Sequence, residues 1–115
     1  MAVKSKIKKI IKYFISRLKE NGIDVTDIIL FGSHIKGNPA KDSDIDLIIV
    51  SKSFRGKNIF ERAELVGDAE AITIKKYKVP FDIIMKTPEE YKSGKSMIVE
   101  YAMENGISLE GKVAF

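Results

Sequence analysis

Three short apolar runs constrain this chain more than any other feature: DIILF at 27–31, DIDLIIV at 44–50 and KVPFDIIM at 78–85. Each reads as a short buried strand rich in Ile and Val. Pro80 makes the start of the third an edge or entry position. Helical patterns separate them. Ile7, Ile10, Ile11, Phe14, Ile15 and Leu18 form one continuous stripe, ended by Asn21-Gly22. Asn58 with Glu61 opens a second helix running to about Lys76, with Phe60, Ala63, Val66, Ala69 and Ile72 expected to face inward. Ser51 to Lys57 reads as a polar loop between strand and helix. Thr87-Pro88-Glu89-Glu90 starts a third helix, and a last one runs from about Ser96 to Glu104, with a short strand possible in the tail. The predicted class is α/β (α+β), a small mixed β-sheet with flanking helices.

A length of 115 residues predicts one domain, 1–115. The chain has no Cys, so disulfides and thiolate metal sites are excluded, and a reducing compartment suits it. No apolar run approaches the roughly 20 residues of a membrane helix. The expectation is a soluble, cytoplasmic protein. The formal charge of +4 is uneven: residues 1–19 hold seven cations and no acid, leaving −3 on the remainder. That basic arm reads as a solvated helix face, with nucleic acid or an acidic partner as the alternative. Basic residues interleaved with aromatics, the pattern that stacks bases, are absent from the linear sequence.

The second run begins with three acids at alternate positions, Asp42, Asp44 and Asp46. Side chains alternate along a strand, so Asp44 and Asp46 share a face while Ile45 and Leu47 take the other. Two carboxylates about 4 Å apart repel by roughly 4 kcal/mol at an effective dielectric of 20. A divalent cation between them removes that penalty, and hard oxygen ligands suit magnesium or manganese. The bland alternative is three solvated aspartates in a loop entering a strand. Three familiar patterns fail. An EF-hand loop counted from Asp42 would need Gly and Glu where Leu47 and Ser53 stand. A Walker A loop fits the Gly32–Gly37 spacing, but Asn38-Pro39 replaces Lys-Ser/Thr. A phosphatase of the aspartyl-phosphate type would end a strand with its aspartates, whereas these open one.

A fourth pattern fits. Gly32-Ser33 follows the first strand, Asp44-Ile45-Asp46 opens the second, and Asp82 stands in the third. In this the chain resembles the DNA polymerase β superfamily of nucleotidyltransferases. The closing stretch TPEEYKSG…AMENGISLEG resembles its small members, the minimal nucleotidyltransferases or MNT proteins. The resemblance implies a polymerase-β-like nucleotidyltransferase core. It implies that Asp44, Asp46 and Asp82 hold two Mg²⁺ ions (Mn²⁺ as the variant). Gly32, Ser33 and Lys36 would contact the phosphates of ATP, the implied substrate. Many relatives read GSRARG where this chain reads GSHIKG, so His34 and Lys36 replace two arginines and lose the bidentate fork. His34 is expected near phosphate or solvent, and Asp42 in the loop.

The resemblance also implies an activity and a partner. MNT proteins act as antitoxins to HEPN-type toxins and can transfer AMP from ATP to a toxin tyrosine. The expectation is therefore a protein adenylyltransferase. The first alternative is a non-catalytic antitoxin that neutralises its partner by complex formation. The second is nucleotidyl transfer to RNA.

Overall fold

The computed structural model describes residues 5–32, 44–94 and 96–109. Ser33, His34, Lys36 and Asp42 lie outside the described residues. The elements run α1 (Ser5–Glu20), β1 (Asp27–Phe31), β2 (Ile45–Val50), a 3-10 turn (Lys52–Phe54), α2 (Ile59–Tyr77), β3 (Phe81–Lys86), α3 (Pro88–Ser93), α4 (Met97–Asn105) and β4 (Ile107–Ser108). The four strands form one sheet in the order β3-β2-β1-β4. β1 pairs antiparallel with β2 and β4, whereas β2 and β3 are parallel. A parallel pair needs a long return path, and the 19 residues of α2 supply it. The mixed sheet with flanking helices is the class the sequence predicts. No helix among the described residues is long and apolar enough to cross a membrane.

The sheet is covered on both faces. Ile45, Leu47 and Ile49 of β2 pack with Ile28 and Leu30 of β1 against the six-residue apolar stripe of α1 and against Val66 and Ala69 of α2. Ile48 and Val50 face the other way and join Ile29, Phe31 and, from α4, Val99 and Ala102. Burial on both faces is why β2 reads as an unbroken LIIV run and not an alternation. α1 ends in a Schellman arrangement: Gly22 takes φ +78°, and the Ile23 N–H donates to the Leu18 carbonyl at 3.0 Å.

The inward face of α2 differs from the sequence expectation. Phe60 is 78% exposed, Ala63 and Ile72 are exposed too, and the buried positions are Val66, Ala69 and Thr73. Positions spaced by three throughout step about 60° backwards around a helix each time, so five of them sweep most of its circumference. Val66, Ala69 and Thr73 keep the i, i+3, i+7 spacing of a true stripe. Thr73 meets the cost of burial by donating its hydroxyl to the Ala69 carbonyl at 2.7 Å. The expected polar loop at 51–57 is likewise more ordered than its composition suggests. Ser51 caps the 3-10 turn, and Phe54 is wholly buried in the core.

Gly67 sits in the middle of α2, and a methyl group there meets nothing within 4 Å. Gly67→Ala is therefore expected to raise the unfolding free energy by about 1 kcal/mol, read from a urea titration.

Arg62 ties this helix to β3. Its guanidinium donates to the Lys57 carbonyl at 2.9 Å, to the Met85 carbonyl at 3.0 Å and to both carboxylate oxygens of Glu90. The hydrogen bonds from Arg62 pull the Glu90 carboxyl down to about 2 from an ordinary 4.5. A depressed carboxyl stabilises the fold fully above about pH 4.5, and the contribution is lost as pH falls towards about 2. Glu90 is 43% exposed, so solvent screening holds that contribution to about 1 kcal/mol. Arg62→Met leaves two carbonyls without their charged donor and should cost about 2 kcal/mol. It should also flatten the acid limb of stability measured between pH 4.5 and 2.

Candidate active site

Three aspartates stand at one end of the sheet. β1 ends at Phe31, and the chain then turns at Gly32 with φ +81°. Phe31 lies opposite Asp46 in the β1–β2 register, and Asp46 lies beside Asp82 in the parallel β2–β3 register. Both aspartates fall on the even-numbered face, with Ile48, Val50 and Ile84. Phe81 and Ile83, on the odd-numbered face, join the α1–α2 core instead. Adjacent strands are about 4.8 Å apart, so Asp46 and Asp82 present neighbouring carboxylates on the same surface. Asp44 precedes β2 by one residue and is exposed. Asp46 is half-buried, and Asp82 is exposed.

Gly32 is fixed by a close approach. A Cβ built there would overlap Asp46 Oδ2 and lie 3.0 Å from its Cγ. The positive φ already favours glycine. The turn backbone and the Asp46 carboxylate are thus held against each other, and no other residue type fits both demands. Both sides of Asp46 are defined: the Gly32 turn beyond β1 on one, Asp82 on the other.

The structure therefore brings Gly32, Asp46 and Asp82 together and places Asp44 two residues ahead of Asp46. It does not gather three carboxylates into a ready-made cage: among the described residues no three acid or imidazole groups cluster closely enough to hold an ion. The donor set still fits a hard divalent cation, since the sheet offers two in-register carboxylates with a third beside them. Sequence reasoning did not find Arg62, which anchors the far end of the strand that carries Asp82. Nothing in the sequence singles it out, because its partners come from residues 57, 85 and 90.

The comparisons with known proteins bear on this geometry. The nucleotidyltransferase domain family matches residues 7–109, from the first buried residue of α1 to just beyond β4. This chain belongs to that family. A relative from Methanocaldococcus jannaschii, provisionally named a protein adenylyltransferase, is 28% identical over 85 residues. That match takes in 73% of this chain and 57% of the relative, so the chain spans little more than half of the relative's length. Among solved structures, a nucleotidyltransferase from Sulfolobus solfataricus superposes with TM-score 0.63 at 19% identity, covering 90% of this chain and 79% of that one. A toxin–antitoxin structure with AMP-PNP gives TM-score 0.57 at 21% identity, over 85% and 71% of the two chains. A minimal nucleotidyltransferase gives TM-score 0.56 at 19% identity, over 93% and 95%. At these identities the structures share the fold of this chain.

Proposed function

We propose that the chain is a metal-dependent protein adenylyltransferase that moves AMP from ATP to a hydroxyl of a partner protein, a tyrosine of a HEPN-type toxin, and so acts as its antitoxin. The observation that carries this is the Gly32 turn pressed against Asp46, with Asp82 in register beside it. Support for the acceptor class comes from the relative named for protein adenylyl transfer and from the toxin–antitoxin fold neighbour that contains AMP-PNP.

Asp44, Asp46 and Asp82 would hold two Mg²⁺ ions. When bound, such ions neutralise the triphosphate and make a hydroxyl easier to deprotonate. The protein's own work is positioning. Gly32, lacking a side chain, lets the phosphates come close to backbone. Ser33 would offer its N–H and hydroxyl to the terminal phosphates, and Lys36 a mobile positive charge. Asp82, exposed on β3 at one side of the sheet, would face the acceptor. The acceptor oxygen forms a bond to the α-phosphorus, the bond from that phosphorus to the bridging oxygen breaks, and pyrophosphate departs. The hydroxyl proton leaves towards solvent on the Asp82 side.

The test supplies the purified partner with ATP labelled at either the α- or the γ-phosphate. Label should pass to the partner from the α-position only. Transfer of γ-label would mean a kinase, and neither label moving would refute transfer. A second reading, antitoxin action by complex formation alone, draws on the GSHIKG stretch, where His34 and Lys36 replace the two arginines of many relatives. It requires that Asp44→Asn and Asp46→Asn neutralise the partner as well as wild type does.

A further inference from the structure

Charge is segregated along the two helices on the far face of the sheet. Residues 5–19 of α1 contain no acid. The acids of α2 (Glu61, Glu64, Asp68, Glu70) all precede Ala71, and Lys75, Lys76 and Lys78 follow. The two basic stretches meet. Tyr13 of α1 and Tyr77 of α2 stand edge to face, centroids 5.6 Å apart at 73°. The Lys76 ammonium lies 4.4 Å from the Tyr13 ring centre and 5.6 Å from that of Tyr77. Lys6 and Lys9 are exposed and precede Tyr13 at i−7 and i−4, on the same stripe of α1. The neighbouring Phe14 stacks on Phe81, centroids 5.1 Å apart, which places the patch at the end of the sheet where β3 begins.

Packing thus brings the ring of Lys12-Tyr13 against that of Lys75-Lys76-Tyr77-Lys78, with cations beside both. We propose that this α1–α2 face binds single-stranded nucleic acid, with Lys6, Lys9 and Lys76 on the phosphates and the half-buried Tyr13 and Tyr77 rings against a base. Among the described residues Lys6, Lys9 and Lys76 form no ion pair, and ammonium groups on one face repel one another; a phosphate backbone relieves that while releasing its own counterions. The rings favour a nucleic acid over an acidic protein, because every base offers a π-face to stack on and carboxylates offer none. The patch lies on the Phe81 side of β3 and the carboxylates on the Asp82 side, so binding here is independent of metal and ATP.

The test measures fluorescence anisotropy of a labelled RNA, roughly 12 nucleotides long and of mixed sequence, with the full chain. Three phosphate-bound cations give a log–log salt slope of about −2, so affinity should fall about 20-fold between 50 and 200 mM salt. Lys9→Gln and Lys76→Gln should each weaken binding about fivefold and reduce the slope by about 0.7. Lys52→Gln, at the opposite end of β2, and Asp46→Asn should bind as wild type does. The proposal is overturned if no binding is measurable at 50 mM salt, or if Lys52→Gln weakens it as much as Lys76→Gln. Competition by polyglutamate as effective as by unlabelled RNA would also overturn it, in favour of an acidic protein partner.

Discussion

Asp46→Asn is expected to lower AMP transfer by about a thousandfold while leaving the fold intact. The substitution keeps the size of the side chain and removes one charge. Asp46 lies between the Gly32 turn and Asp82, so in the proposed mechanism it is the carboxylate that would hold an ion beside the phosphates. Losing preorganised charge stabilisation at a reacting phosphate costs on the order of 10²–10³ in rate for a single donor, and a metal ligand belongs at the upper end. A second readout separates this from a structural effect. Excess Mg²⁺ with a non-hydrolysable ATP analogue should stabilise the wild type against heat, by about 2.7 kcal/mol at a hundred times the dissociation constant. The Asn variant should show little of that gain and melt like the wild type without ligand. A variant that still gains the full stabilisation would remove Asp46 from the metal site.

Gly32→Ala should be nearly as damaging, for a different reason. The methyl group would have to occupy space held by the Asp46 carboxylate, at a φ of +81° that disfavours any side chain. One of two things must shift, the turn or the aspartate, and either change separates the backbone proposed to meet the phosphates from the carboxylate proposed to hold the metal. Misplacing a reacting group by about 1 Å costs on the order of a hundredfold, so transfer should fall at least that far. The backbone strain itself should cost about 1–2 kcal/mol of stability, leaving the protein folded at room temperature. Full activity in Gly32→Ala would show that the close approach has no catalytic meaning.

Much of the fold is legible in the sequence because local and global signals agree. The α1 stripe is buried at all six predicted positions. Asn58 with Glu61 and Thr87 with Glu90 form the reciprocal capping bonds their spacing suggests. Legibility fails where packing decides. Phe60 is a large apolar residue on a helix, yet it faces solvent because α2 is turned to bury Val66, Ala69 and Thr73. Phe54 stands in a stretch whose composition reads as loop, and the core takes its ring. At the candidate site, the resemblance to the polymerase β superfamily singles out Gly32, Asp46 and Asp82, and strand alternation fixes which face each aspartate takes. The fit of Gly32 against Asp46 could not, because it depends on the register of β1 with β2. The Tyr13–Tyr77–Lys76 patch is illegible for the same reason: Tyr13 stands more than 60 residues from Lys76 and Tyr77 in the chain.

One measurement bears most directly on metal-dependent adenylyl transfer by Asp44, Asp46 and Asp82. Purified protein, Mg²⁺ and α-labelled ATP are added to a lysate of the source cells, with the Asp46→Asn variant run in parallel. A labelled protein band that appears with wild type, disappears on chelation and is absent with the variant is the expected result, and the band identifies the acceptor. An equally strong band with Asp46→Asn, or no band when the partner is present in the lysate, would contradict it.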